Sequence, residues 1–324
     1  MLVHHGIDSL TPLPYAVVTS GTFDGVHRGH QKILARLTEI TRNSPDADQT
    51  RLNQCAGATA RPAQSVVLTY WPHPRTVVSN DSQSLRLLST LSEKTALLDA
   101  AGVDHLVVIP FTRSFSQLSS DQFIRQILLE KIGTRKLVIG YDHRFGRDRE
   151  GGFEYISQHQ AEYGFEVEEI PRQDIEAVGI SSSKIRNALA EGNINAATQF
   201  LGRPYTLTGT VVKGRQLGRT IGFPTANLQV DDPIKLIPAN GVYAVSVEYT
   251  GQTFRGMTNI GFRPTVSGEG QTIETYIFDF DKDIYGEHLT LKFRAFLRPE
   301  QKFSGLPALV EQLNSDEQAA RLLT

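Results

Sequence analysis

The chain has 324 residues, 33 lysines and arginines against 35 aspartates and glutamates, and 40% hydrophobic residues, a length that predicts about two domains with a core each. The net charge of -2 argues against the basic stripe of a nucleic-acid-binding protein, and a single cysteine, Cys55, excludes an internal disulfide framework and a cysteine-built zinc site. No basic leader with an apolar core opens the chain and no run of about 18 apolar residues occurs, so a soluble, cytoplasmic protein without membrane or nucleic-acid partners is expected.

The first ordered stretch is an apolar run, Tyr15 to Val18, followed by Ser20-Gly-Thr-Phe-Asp-Gly-Val-His-Arg-Gly-His30 and by the amphipathic Ile33, Leu34, Leu37 and Ile40. This reads as strand, glycine-bearing turn and helix start. Gly21, Gly25 and Gly29 let backbone approach a ligand closely, and the helix behind them offers unpaired amides at its positive dipole end. His27 and His30 are three residues apart, so on a helical turn both imidazoles address one anion, with Asp24 beside them. Arg42 to Gln64 is polar and reads as a long surface loop carrying Cys55.

Ser65 to Tyr70 is a buried strand by its continuous β-branched character and runs into Trp71-Pro72-His73-Pro74, a turn at the strand's carboxyl end. A helix is expected over Ser92 to Ala101 with Ser92 as N-cap, a strand over His105 to Ile109, a helix over Ser119 to Lys131 and a strand over Lys136 to Gly140. A helix over Gly152 to Tyr163 and a strand over Phe165 to Ile170 close the series, which predicts a mostly parallel, Rossmann-like sheet. Past the strand end at Gly140, the loop Gly140-Tyr-Asp-His-Arg-Phe-Gly-Arg147 concentrates charge and aromatic rings. Ile180-Ser-Ser-Ser-Lys-Ile-Arg186 combines a capping serine, further hydroxyls and a guanidinium fork suited to a polyphosphate.

Ser183 to Leu201 reads as two short helices broken at Gly192-Asn193. From Tyr205 the period changes to short strands: Tyr205 to Lys213, Gly241 to Tyr249, Gln252 to Asn259, Glu274 to Asp279 and Leu289 to Leu297. That spacing predicts a compact antiparallel barrel, with a helix carrying Leu306, Leu309, Leu313 and Leu322 packed on it. The overall class is therefore α/β plus β. Between the first two strands, Lys213, Gly214, Arg215, Gly218, Arg219 and Gly222 form either a phosphate cradle or a glycine-rich hairpin. Pro224 behind them can aim the Thr225 hydroxyl and the Asn227 carbonyl at a hard cation.

Two resemblances turn these patterns into expectations. Gly-Thr-Phe-Asp-Gly-Val-His-x-Gly-His resembles the signature of nucleotidyltransferases, in the spelling of the adenylyltransferase module of bacterial FAD synthetases, and Ser181 to Arg186 resembles a second motif of that superfamily with Ser183 in place of threonine. Gly218-Arg-x-x-Gly-Phe-Pro-Thr-Ala-Asn227 resembles the flavokinase signature, followed in order by Gly241-Val-Tyr-Ala, Asn259-Ile-Gly-Phe-Arg-Pro-Thr265, Glu274, Tyr285-Gly286 and Leu297-Arg-Pro-Glu-x-x-Phe303. The chain is thus similar to the family of bifunctional flavokinase and FAD synthetase enzymes, over all but residues 42–64.

The resemblance implies an adenylyltransferase domain over residues 1–186, a helical linker over 187–203 and a riboflavin kinase barrel over 204–324. It implies ATP, riboflavin and FMN as substrates, FAD as product and Mg²⁺ as cofactor. In the first domain it implies His27 and His30 as catalytic groups and Gly21, Phe23, Asp24, Gly25, Ser181, Ser182, Ser183 and Arg186 as the ATP-binding set. In the second it implies Glu274 as general base, Gly214, Gly218, Gly222, Thr225 and Asn227 around the ATP phosphates, and Thr225 and Asn227 at the metal.

Two positions depart from the family spelling. Trp71 stands where aspartate or asparagine is usual, and His143 where phenylalanine is usual. They keep two alternatives in view: a kinase with a weakened or inactive adenylyltransferase domain, and a non-catalytic flavin-binding regulator. The oligomeric state stays open, a weak homo-oligomer included.

Overall fold

Continuous β-branched runs and alternating amphipathic segments build the first half into a three-layer α/β unit. The computed structural model describes residues 1–44, 63–79, 85–171, 179–214, 216–265 and 268–324; Cys55, Arg215 and most of the 42–64 stretch lie outside them. The chain divides into two compact units, Met1–Ile180 and Ser181–Thr324.

In the first unit, β1 (Leu2–His5), β2 (Ala16–Ser20), β3 (Gln64–Trp71), β4 (His105–Pro110), β5 (Thr134–Gly140) and β6 (Glu166–Ile170) form one sheet in the order β1-β4-β3-β2-β5-β6, every neighbouring pair parallel. Helix α1 (Arg28–Asn43) follows β2, α2 (Pro74–Val78) and α3 (Leu91–Ala100) follow β3, and α4 (Arg113–Ser116) follows β4. Then α5 (Ser120–Gln122) continues as a π-type helix over Phe123–Ile132, and α6 (Phe153–Tyr163) precedes β6. Strand alternation sends Val17, Val67, Leu106 and Val108 to a core with Leu34 and Leu37 of α1 and Leu98 of α3, and Val18, Leu68, Tyr70 and Ile109 to a second core with Phe123, Ile124 and Ile156 of α5 and α6. Burial on both faces is why these strands read as unbroken apolar runs. Each fully buried leucine of α1 contributes about 1.5–3 kcal/mol from burial alone.

The expected strands are present and two corrections apply. An edge strand, β1, was not read from the sequence, and α3 is capped by Thr90 rather than Ser92: the Thr90 hydroxyl accepts from the Glu93 amide while the Glu93 carboxylate accepts from the Thr90 amide.

The second unit begins with α7 (Ser182–Ala190) and α8 (Ile194–Leu201), broken at the expected Gly192-Asn193. Strands β7 (Thr206–Val212), β8 (Thr225–Val230), β9 (Gly241–Tyr249), β10 (Gln252–Thr265), β11 (Gly268–Ile277) and β12 (His288–Arg298) close into an antiparallel barrel in the order β10-β11-β8-β7-β12-β9, with the short α9 (Leu217–Thr220) between β7 and β8. The barrel has six strands where five were expected: β8 follows the glycine-rich loop directly, and Glu274 lies well inside β11 instead of opening a strand.

The terminal helix α10 (Leu306–Leu323) packs Val310, Leu313 and Ala320 against Phe223, Met257 and Phe278. Its buried face keeps Leu313 of the leucine stripe read from the sequence but not Leu306 or Leu322. Leu306 and Leu322 are 62% and 88% exposed, and the most buried polar side chain is Asp316, paired bidentately with Arg298 of β12 at 2.7–3.0 Å.

Candidate active sites

In a parallel sheet all strands end on one edge, and ligands bind outside the carboxyl ends. Here that edge carries the Gly21 to His27 loop after β2, the Trp71 to His73 turn after β3, Phe111 after β4 and the Tyr141 to Arg147 loop after β5. Within the first loop Phe23 and Val26 hold φ of 47° and 38°, a left-handed conformation that costs non-glycine residues energy and recurs at ligand sites.

His27 is the N-cap of α1 rather than a residue of its first turn. Its Nδ1 accepts from the His30 amide at 3.3 Å and its ring stacks on His30 at 3.7 Å, so the two imidazoles form one stacked unit. His30 Nδ1 is buried with no hydrogen-bond partner among the described residues, and burial first, then His27 and Lys94 beside it, hold its pKa well below the ordinary imidazole value. Gly21 donates its amide to Leu68 O, and Gly25 to the Ser89 hydroxyl. Phe23 packs in the α1-face core with its ring 5.0 Å from His30. The Asp24 carboxylate accepts the Leu88 and Ser89 amides at 2.9 and 3.2 Å, which fixes the loop against the 85–90 segment. Phe23 and Asp24 therefore shape the loop from inside the fold.

One residue at this edge carries no sequence signal: Lys94 of α3, 2% exposed. Its ammonium donates to Thr69 Oγ1 at 3.3 Å and lies 5.5 Å from the Trp71 ring centroid, with burial drawing its pKa to about 8 against the pull of Asp24. Trp71 thus faces a cation and supplies no oxygen to a metal. His73 caps α2, its Nδ1 accepting from the Arg75 amide.

On the opposite face of the edge, Tyr70, Phe111, Phe115, Phe123 and Phe145 follow one another at ring separations of 5.1–6.3 Å. Phe123 and Phe145 are buried, and Phe111 and Phe115 are half-buried. His143 continues the run, 5.8 Å from Phe145, and its Nε2 is hydrogen-bonded to Ser20 Oγ at 3.0 Å.

Ser181 caps α7, accepting from the Lys184 amide at 3.3 Å, and Ser182, Ser183 and Arg186 lie within that helix. All four belong to the second unit.

In the barrel, register makes the site. Glu274 of β11 pairs with Asn227 of β8 on one side and Asn259 of β10 on the other, so a carboxylate stands between two carboxamides in a row across three strands. Thr225, two residues from Asn227 and on the same strand face, pairs with Tyr276. The loop before β8 closes tightly on this row. A Cβ at Gly214 would meet Asn227 Nδ2 at 2.2 Å, and one at Gly218 would meet Phe223 O at 2.1 Å and Thr225 Oγ1 at 3.6 Å. Only glycine fits either place. Gly222 takes φ +84° in the turn that leads to β8. A cavity of about 70 Å³ adjoins Thr225, lined also by Arg219, Phe280, Lys282, Asp283 and Tyr285.

The donor set fits Mg²⁺: Thr225 Oγ1 and Asn227 Oδ1 are neutral hard oxygens beside a backbone stripped of Cβ atoms, the kind of partial shell that a nucleotide's phosphates complete. Among the described residues no group of three or more His, Cys, Asp or Glu could hold a metal.

A glycine-bearing loop at a helix N-terminus in the first unit and a glycine-closed row around Glu274 in the second are arrangements suited to phosphate, the class of site carried by transferases that work on phosphate esters and anhydrides. Residues 11–184 match the FAD synthetase family and residues 201–324 the riboflavin kinase family. Bifunctional riboflavin kinase/FMN adenylyltransferases of Listeria monocytogenes (39% identity, covering 98% of this chain and 96% of the relative), Pseudomonas fluorescens (37%, 95% and 92%) and Escherichia coli K12 (37%, 99% and 97%) are similar throughout. A crystal structure from Streptococcus pneumoniae described as a macrolide-efflux protein superposes with a TM-score of 0.84 at 30% identity, covering 99% of both chains; among the described residues of this chain, no helix is long and apolar enough to cross a membrane. The chain belongs to the bifunctional riboflavin kinase/FMN adenylyltransferase family.

Proposed function

We propose that this chain, a riboflavin kinase and FMN adenylyltransferase, phosphorylates riboflavin at the Asn227-Glu274-Asn259 row and adenylylates FMN at the carboxyl edge of the parallel sheet. The observation that carries the kinase assignment is the register that sets Glu274 directly between Asn227 and Asn259. Glu274 takes the proton of the riboflavin 5′-hydroxyl as that oxygen attacks the γ-phosphorus of ATP, and ADP leaves with the electrons of the broken bond between the γ-phosphorus and the bridging oxygen. The Gly214 and Gly218 backbone holds the phosphates, and the cavity beside Thr225 receives the nucleoside end. Thr225 and Asn227 would hold Mg²⁺, which would neutralise charge on the nucleotide's phosphates.

In the first unit no protein nucleophile is needed. An FMN phosphate oxygen attacks the α-phosphorus of ATP in line, and pyrophosphate leaves with the bond electrons. The depressed pKa of His30 supports an imidazole that works uncharged, as a hydrogen-bond donor at the amino end of α1, with the His27 ring stacked on it. Gly21 and Gly25 bring backbone to the phosphates. The isoalloxazine ring lies on Phe111 and Phe115, the half-buried members of the aromatic run, with Phe123 and Phe145 behind them. The protein acts in the cytoplasm on small molecules. Supplying FMN, ATP and Mg²⁺ and following FAD and pyrophosphate tests the first unit; absence of both products contradicts the assignment and leaves a kinase with an inactive partner domain.

A further inference from the structure

His143 breaks the aromatic run with a polar ring, at a defined place. Ser20 is the last residue of β2 and immediately precedes the anion loop, while Phe145 belongs to the aromatic wall. The His143 imidazole touches both, through Nε2 to Ser20 Oγ at 3.0 Å and ring to ring with Phe145 at 5.8 Å. It therefore stands where a flavin laid on the wall passes its ribityl phosphate towards the loop. Burial, with Arg144 and Arg149 nearby, draws its pKa down to about 4, so the ring is neutral at physiological pH and carries one N–H. Ser20 occupies Nε2, and Nδ1 has no hydrogen bond among the described residues. A phenyl ring at this position would offer no such edge.

We infer that His143 is a specificity-determining residue of adenylyl transfer: held by Ser20, it presents its Nδ1 edge to an oxygen of the ribityl phosphate arm of FMN. This rests on the placement of FMN against the aromatic wall, so the test carries an arm for each.

In the full-length protein, His143→Phe, His143→Asn and Phe115→Ala are compared for the KM of FMN, the KM of ATP and the kcat of FAD formation, with riboflavin phosphorylation by the same samples as the folding control. One lost hydrogen bond to a substrate oxygen predicts a rise of about tenfold in the KM of FMN for His143→Phe, with the KM of ATP and the kinase rate within about twofold of the parent. His143→Asn, whose amide sits where Nδ1 was, recovers most of the loss. If Phe115→Ala raises the KM of FMN and His143→Phe does not, the role of His143 is overturned and the wall stands. If neither moves it, wall and inference both fall. Losses shared by FMN, ATP and the kinase reaction would show a packing role instead, and overturn the inference.

Discussion

Glu274 differs from the other carboxylates of the barrel in its neighbours, since a strand on each side sets a carboxamide opposite it. Glu274→Gln keeps the shape and removes the base, so FMN formation should fall by about 10²–10⁴, measured as riboflavin-dependent FMN release. His30→Asn should lower FAD formation from FMN by about 10²–10³ through loss of charge stabilisation, with the kinase rate unchanged. The same residues predict a pH response. His30 and His143 have folded pKa values below the unfolded imidazole value of 6.5, His143 at about 4. Between those values the unfolded chain binds more protons than the folded one, so stability that is present above about pH 6.5 is lost as the pH falls towards 4. Denaturant unfolding of the first unit at pH 7.5 and 5.0 should show a loss of about 1–2 kcal/mol from His143 alone, and His143→Phe should remove that share. The glycines, histidines and serines of the motifs were legible in the sequence because phosphate binding restricts residue type at close spacing. Lys94 was not, because a lysine on an amphipathic helix reads as a solvated face, and the Ser20–His143 pair was not, because 123 residues separate its members.

Among the elements, long apolar strands and capped helices were readable, while two strands were not. The four-residue β1 is a mostly exposed edge strand with two histidines and lacks a hydrophobic signature. Strand β8 starts at Thr225, directly after a loop of glycines and Pro224 whose composition signals turn. The cap of α3 was available in principle, since Thr90-x-x-Glu93 spells a capping box. The tail helix shows a different limit. Periodicity marked it as a helix, but polar groups fix its face: the Arg298–Asp316 pair, and Arg321 reaching Asp279 and Glu317 at 2.8–3.0 Å. Asp316→Ala should remove the buried partner of the half-buried Arg298 and destabilise the second unit by about 1.5–3 kcal/mol, read by thermal unfolding.

At the scale of the whole molecule, the chain joins two folds, each with its own phosphate-handling centre, and FMN is the product of one and the substrate of the other. The division by contacts falls at Ile180 and Ser181. On the proposed assignment the two reactions use separate residues and are linked only through FMN. That separation is tested most directly with full-length Glu274→Gln, given ATP and Mg²⁺ with either riboflavin or FMN, and FAD measured in both cases. Almost no FAD from riboflavin, and FAD from FMN at the rate of the parent protein, is the expected result; FAD formed equally well from riboflavin, or lost equally from both, would contradict the separation of the two sites.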